Sequence, residues 1–262
     1  MKLTVLASGS GGNAALLEIG GKFLLIDAGI SHRQLVSRLR QVGKSLPALD
    51  YIFLTHEHTD HIVGLMTIVN KYYPRIFLTK GTFSNLPLRI RANLDKSLVD
   101  YVAYNKNLAL DGFSVMAFPS FHDALEPCGY RFSDGEKAFV YLTDTGYFPR
   151  QGFDDIRNAD LYLIESNHDP ELLLESDRPW LLKKRILDDH GHLSNEDSAY
   201  LMTSILGDKT KTIVLAHLSE ECNTIDIALE TYRKVFRDRG VDLSRFRLIC
   251  AYQDQPLEEI EI

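Results

Sequence analysis

Apolar positions along the chain fall into short, bounded runs: 3–6, 14–19, 23–26, 51–54, 76–78, 113–118, 138–142, 161–164, 213–216 and 248–251. Each is rich in β-branched, aromatic or leucine side chains and is closed by Gly, Pro, Asp or Asn, the length and punctuation that predict strands. Between them apolar residues recur with helical period over about 31–42, 61–72, 171–187, 195–206 and 223–239. Gly207 and Gly240 stand where C-cap residues are expected. Three strands joined by turns come first, and helix–strand alternation follows. That order calls for sheets packed on each other with helices outside, an α/β (α+β) class. The stretch 95–111 gives no clear pattern. With no repeat and no Pro/Gly/Ser-rich linker, one domain over 1–262 is expected.

Composition narrows the field of functions. The 262 residues are 45% hydrophobic and 25% charged, which excludes a disordered chain. The net charge of −7 excludes nucleic-acid binding through a general positive field, so such a substrate would need a local basic strip or bound metal ions. Cys128, Cys222 and Cys250 are odd in number and form no CxxC pair, which points to a reducing compartment and away from a thiolate zinc site. The apolar run after Met1 is too short for a signal peptide, and no run approaches the roughly 20 residues of a membrane span. The expected location is the cytoplasm, with no membrane partner.

The chemistry concentrates in Tyr51-Ile52-Phe53-Leu54-Thr55-His56-Glu57-His58-Thr59-Asp60-His61, where a buried strand runs into three histidines and an aspartate within six residues. Imidazole and carboxylate suit zinc, manganese or iron. Residues i and i+2 of an extended segment point the same way, so His56 and His58 can grip one ion. Asp60 and His61, at the corner where a helix begins, can turn back to hold a second. The bland alternative, a loop that is merely polar, does not explain four ligand types packed at a strand end. His122, Asp144, His217 and Asp27 also follow predicted strands. Singly, each would read as a cap; together, beside the cluster, they read as a site.

The hexapeptide His56-Glu57-His58-Thr59-Asp60-His61 resembles the HxHxDH signature of the metallo-β-lactamase superfamily, and Asp27, His122, Asp144 and His217 follow in the order of its remaining motifs. The resemblance implies a four-layered αββα sandwich with two divalent ions at one edge. It implies that His56, His58 and His122 hold one ion, that Asp60, His61 and His217 hold the other, that Asp144 bridges them, and that Asp27 orients the ligand loop. Ala7-Ser8-Gly9-Ser10-Gly11-Gly12-Asn13, Asp27-Ala28-Gly29 and 215–223 further resemble the WalJ/YycJ-type branch, which is associated with DNA exonuclease activity and DNA repair; Gly11 stands where that branch usually has Ser. Taken alone, the glycine-rich segment reads as a turn between strands, because no GK[ST] follows to make a P-loop.

Asp60, Glu165 and His192 are the catalytic candidates. Glu165 ends a predicted strand, and His192 lies in Gly191-His192-Leu193-Ser194-Asn195 before a helix, with Ser194 also a plausible N-cap. The pair is similar to the acidic residue and HST-type histidine of tRNA-processing and phosphodiesterase branches. Two adjacent ions bring the pKa of a shared water from roughly 15.7 to roughly 7, giving a hydroxide that attacks phosphorus. The expectation is a dinuclear phosphodiesterase, a 5′-to-3′ exonuclease on single-stranded or nicked DNA. The alternative is a hydrolase of a small ester, thioester, lactone or cyclic phosphodiester. A redox di-iron site is disfavoured by His58, where oxygen reductases of this fold carry Glu. Lys183-Lys184-Arg185, Arg89 and Arg91 read first as solvated helix faces. His32, His168 and His190 are given no role.

Overall fold

The computed structural model describes residues 1–262. One sheet is built from β1 (Lys2–Ala7), β2 (Ala14–Ile19), β3 (Lys22–Ile26), β4 (Tyr51–Phe53), β5 (Arg75–Leu78) and β6 (Val99–Tyr101). The other is built from β7 (Asn107–Leu110), β8 (Phe113–Pro119), β9 (Cys128–Ser133), β10 (Ala138–Leu142), β11 (Leu161–Glu165), β12 (Thr212–Ala216) and β13 (Arg247–Cys250). The last strand, β14 (Ile260–Glu261), returns to pair with β1, so each sheet has seven strands, ordered β14-β1-β2-β3-β4-β5-β6 and β13-β12-β11-β10-β9-β8-β7. Both sheets are mixed: β3 to β6 run parallel, as do β10 to β13, and the rest are antiparallel. The β2–β3 hairpin turns on Gly20 and Gly21, both with positive φ, as a two-residue turn matching strand twist requires.

Alternation along the strands explains the layers. Tyr51 and Phe53 of β4 face the space between the sheets, and Ile52 and Leu54 face outward. Val214 and Ala216 of β12 face inward, and Ile213 and Leu215 outward. Both faces are covered, so these strands read as unbroken apolar runs. Between the sheets lies a cluster of 25 buried residues, with the Phe53 and Phe77 rings stacked at 4.8 Å; such an aromatic pair adds about 1 kcal/mol beyond its burial. Outside the first sheet pack α1 (His32–Gln41), α2 (Thr59–Ile62), α3 (Leu65–Tyr72), α4 (Lys80–Asn85) and α5 (Leu88–Arg91). Beyond the second lie α6 (Phe153–Ile156), α7 (Pro170–Glu175), α8 (Trp180–Leu187), α9 (Asn195–Ile205) and α10 (Ile225–Asp238); of these α6, α9 and α10 cover its outer face. This is the expected αββα sandwich.

Several boundaries differ from the sequence reading. The helix expected over 61–72 is two, α2 and α3, broken at Gly64, where any Cβ would meet the Ile30 carbonyl oxygen at 2.1 Å. The helix expected over 171–187 breaks before Pro179, giving α7 and α8. Gly240 follows α10 with φ +67°, as a left-handed cap, whereas Gly207 has no positive φ and is small because Asn158 packs against it. The unclear stretch 95–111 contains two short strands, β6 and β7, with half-buried or exposed side chains.

Candidate metal centre

The parallel strands β3, β4, β10, β11 and β12 deliver their C-terminal ends to one edge of the sandwich. Asp27 follows β3, His56 lies just past β4, Asp144 just past β10, Glu165 closes β11 and His217 follows β12. Asp27, Asp144 and His217 have φ of 57°, 57° and 56°, the left-handed region that side-chain-bearing residues seldom adopt. There each strand stops and its last side chain turns into the site. Asp60 and His61 lie in α2, whose first turn is seated on the β1–β2 turn and the β3–α1 connection: Asn13 N donates to Asp60 O at 2.8 Å and Ala28 N to His61 O at 2.7 Å. Gly29 is obligatory beneath it, since a Cβ would stand 1.6 Å from Asp60 O.

The predicted ligands converge in overlapping groups. His56, His58 and His122 place one ring nitrogen each within 4.8 Å of one another, and so do His56, His61 and Asp144 with one donor atom each. A third group joins Asp144, Glu165, His192 and His217. His61 Nε2 stands 3.4 Å from Asp60 Oδ2 and 3.3 Å from Asp144 Oδ2, and His217 Nε2 stands 4.0 Å from Asp60 Oδ2. Asp144 is therefore central to both halves.

The Nδ1 atoms of four rings are held from behind. His61 Nδ1 donates to Asp27 Oδ2 at 2.8 Å, His122 Nδ1 to Gly191 O at 3.0 Å and His217 Nδ1 to Glu165 Oε1 at 2.8 Å, while His56 Nδ1 meets Thr55 Oγ1 at 3.0 Å. Acceptors on Nδ1 set the tautomer that leaves Nε2 unprotonated and facing the centre. His56 Nε2, His217 Nε2 and Asp144 Oδ2 are buried with no hydrogen-bond partner. Buried polar atoms are rarely left so, and these three are of the kind a cation would take. The nitrogen and oxygen donor set fits a divalent transition metal.

The charges tell the same story. Burial opposes ionisation of Asp144, but His217 and His61 outweigh it and hold the carboxyl well below its usual range. Burial likewise opposes protonation of His61, and Asp27, Asp144 and Asp60 overcome it, raising the imidazole well above its ordinary value. His217 is brought up to about 9 against its burial by Asp144 and Glu165. His56 lies well below the ordinary imidazole value through burial and neighbouring His61. The carboxylates thus favour positive charge at this edge.

His192 Nδ1 donates to Glu165 Oε1 at 2.8 Å, so the expected pair is in contact. Glu165 serves more than His192, however: the same oxygen holds His217, and Oε2 accepts Thr145 N at 2.9 Å and Leu193 N at 3.3 Å. Against burial, His192 and His217 bring the Glu165 carboxyl down to about 2. Other residues at the site carried weaker sequence signals. Asn13, the last residue of the glycine-rich turn, reaches His61 Nε2 at 3.1 Å. Ser8 Oγ accepts His217 N at 2.8 Å. Asp27 Oδ1 accepts Thr55 N at 2.9 Å, beside the ligand run. Asp123, next to His122, stands 3.3 Å from its Nε2 and escaped notice because a lone surface Asp looks ordinary. Glu57 Oε1 accepts Leu125 N at 3.0 Å, tying the His122 loop to the hexapeptide. His32 is away from the site, stacked on Tyr72, and His190 is exposed beside Asp188.

Comparison with known proteins agrees with this geometry. The sequence profile described as "Beta-lactamase superfamily domain" matches residues 22–218. The chain is 41% identical over 228 residues to Exodeoxyribonuclease WalJ of Streptococcus pneumoniae strain D39, covering 87% of this chain and 85% of that protein. It is 34% identical over 241 residues to Exodeoxyribonuclease YycJ of Bacillus anthracis, covering 92% and 90%. Among solved structures, the metallo-β-lactamase fold protein YhfI from Bacillus subtilis superposes with a TM-score of 0.71 at 19% identity, over 98% of this chain and 99% of that one.

Proposed function

The chain belongs to the metallo-β-lactamase superfamily and is a metal-dependent hydrolase, and we propose that it acts on DNA as a 5′-to-3′ exonuclease through a dinuclear site. The observation that carries the reading is the convergence of buried, unpartnered His56 Nε2, His217 Nε2 and Asp144 Oδ2 on one centre. The DNA substrate is supported by the two exodeoxyribonuclease relatives. His56, His58 and His122 would hold one ion, Asp60, His61 and His217 the other, and Asp144 both. When bound, two divalent ions supply a hydroxide nucleophile near neutral pH and neutralise charge developing on the phosphoryl oxygens.

The protein's own groups do the rest. Asp27 and Glu165 fix the rings of His61 and His217 from behind. Glu165 also engages His192 at Nδ1, which orients that ring and leaves Nε2 without a protein partner, free to pass a proton to the departing oxygen of the strand. His58, Asp60 and His192 keep 31%, 25% and 18% of their side chains exposed while His56, His61, His122, Asp144 and His217 are buried, so the site opens to a strand on their side. The local nature of the attraction lets a chain of net charge −7 take a polyanion.

The test is an assay on 5′- and 3′-labelled single-stranded DNA with manganese or zinc. Shortening from the 5′ end, abolished by chelation and by Asp144→Asn, is the expected result. Turnover confined to thioesters or lactones, or full activity after exhaustive chelation, would overturn it.

A further inference from the structure

The fold splits the basic run 183–185. Lys183 is buried, and its ammonium donates to Leu174 O at 2.7 Å, a structural role. Lys184 and Arg185 instead line a hollow of about 290 Å³ together with Asp123, Leu181, Asp188 and His190. Asp123 joins that hollow to the metal centre. Its Oδ1 stands 3.3 Å from His122 Nε2 and 3.8 Å from His58 Nε2, and its Oδ2 accepts from Arg185 Nε at 2.5 Å. Only Nε of Arg185 is engaged in this way: the two NH2 groups of the guanidinium and the Lys184 ammonium meet no acceptor in the protein. The other acid of the hollow, Asp188, is occupied by its contact with His190, 3.5 Å from Nδ1.

We propose that Arg185, braced by Asp123, and Lys184 form a phosphate-binding subsite at the rim of the metal centre, taking a phosphate of the nucleic-acid strand other than the one being cleaved. The inference rests on the nuclease reading above. A guanidinium held through Nε presents its remaining N–H groups as a fixed fork, the geometry that matches phosphate oxygens. The brace settles the orientation of a long side chain before the ligand arrives, which lowers the entropy cost of binding. Lys184, on the preceding position of α8, adds a point charge to the same hollow. The phosphate comes from one of two sources, a terminal 5′-phosphate or an internal phosphodiester.

The experiment measures kcat and KM of the manganese-loaded protein on 5′-phosphorylated and 5′-hydroxyl single-stranded oligonucleotides over a range of salt, for wild type, Arg185→Gln and Lys184→Gln. Both side chains reach solvent, so the substitutions are expected to fold, and metal content by mass spectrometry serves as the check. Arg185→Gln should raise KM about tenfold, the worth of one charge-assisted contact. Each variant should flatten the dependence of log KM on log salt by about 0.7, the counterion released by one phosphate of a single strand. An effect confined to the 5′-phosphorylated strand assigns the subsite to the terminal phosphate, and equal effects on both strands assign it to the backbone. Wild-type KM and wild-type salt slope in both variants would overturn the subsite and leave the nuclease reading standing. Should the wild type hydrolyse bis(p-nitrophenyl) phosphate but no DNA, the nuclease reading fails instead. The subsite is then judged by direct titration of inorganic phosphate into the metal-loaded protein: a phosphate site present in the wild type and at least tenfold weaker in Arg185→Gln supports it, and identical titrations of the two proteins refute it.

Discussion

Glu165→Gln separates the two duties that meet on one carboxylate. Glu165 is fully buried and accepts four hydrogen bonds, from His192 and His217 on Oε1 and from the Thr145 and Leu193 amides on Oε2. Glutamine keeps the shape but has one acceptor end. With its oxygen toward the histidines, its NH2 faces two backbone N–H groups. Turned round, it faces two imidazole N–H groups, and His217 escapes only by moving its proton to Nε2, the atom a metal requires. Either way two buried donors lose their acceptor, at about 1–3 kcal/mol each. Because a second-layer partner of a ligating histidine is worth roughly 10–100-fold in metal affinity, the ion on the His217 side should weaken by that factor. His192→Ala should behave differently. It leaves His217 and its carboxylate in place, so both ions should bind with wild-type affinity while kcat falls about 10²–10⁴-fold. Competition titration against a fluorescent chelator, paired with single-turnover rates for both variants, reads the two effects separately. Wild-type affinity for both ions in Glu165→Gln would refute the argument, because the hydrogen bond to His217 would then contribute nothing to metal binding.

Two further outcomes follow from other contacts. If His192 Nε2 protonates the leaving oxygen, the rate loss of His192→Ala should shrink for bis(p-nitrophenyl) phosphate, whose leaving group needs no proton; an equal loss on DNA and on the activated ester would show that His192 has another role. His168 is 1% exposed, has no partner on either ring nitrogen, and is pushed by burial from 6.5 down to about 4. Between those values the unfolded chain binds a proton that the folded chain does not, so stability is highest above pH 6.5 and falls as pH drops toward 4, by up to about 3 kcal/mol. Urea unfolding of His168→Leu should show that stretch of the pH curve flattened, and an unchanged slope would count against it.

How much of this was legible in the sequence depended on distance along the chain. The hexapeptide holds four candidate ligands within six residues, and Asp144 and His217 betray themselves by following buried strands. Their spacing from the chain's other chemistry is irrelevant to those signals. The supporting contacts are another matter. Ser8 meets His217, Asn13 meets His61, and Glu165 reaches back to the Thr145 amide and forward to His217. Ser8 and His217 are brought together by the stacking of the two sheets, and the other pairs by strand and loop neighbours within one sheet that are distant along the chain, which local pattern does not encode. The break at Gly64 was hidden for a similar reason, since the crowding comes from Ile30. The strands β6 and β7 lack the buried alternation that marks a strand, because edge strands have less to bury.

The left-handed backbone at Asp27, Asp144 and His217 sets durability against chemistry at three positions. An ordinary L-residue in that region gives up roughly 1–2 kcal/mol, a cost that glycine escapes and that asparagine and aspartate partly relieve. Selection acting on heat resistance alone would therefore drift toward glycine or asparagine at the positions where the proposed reaction calls for a carboxylate or an imidazole. A lineage that ceased to use the site would be free to become sturdier at the same edge, and sequences of this fold with glycine at these strand ends would be candidates for proteins that have exchanged catalysis for robustness.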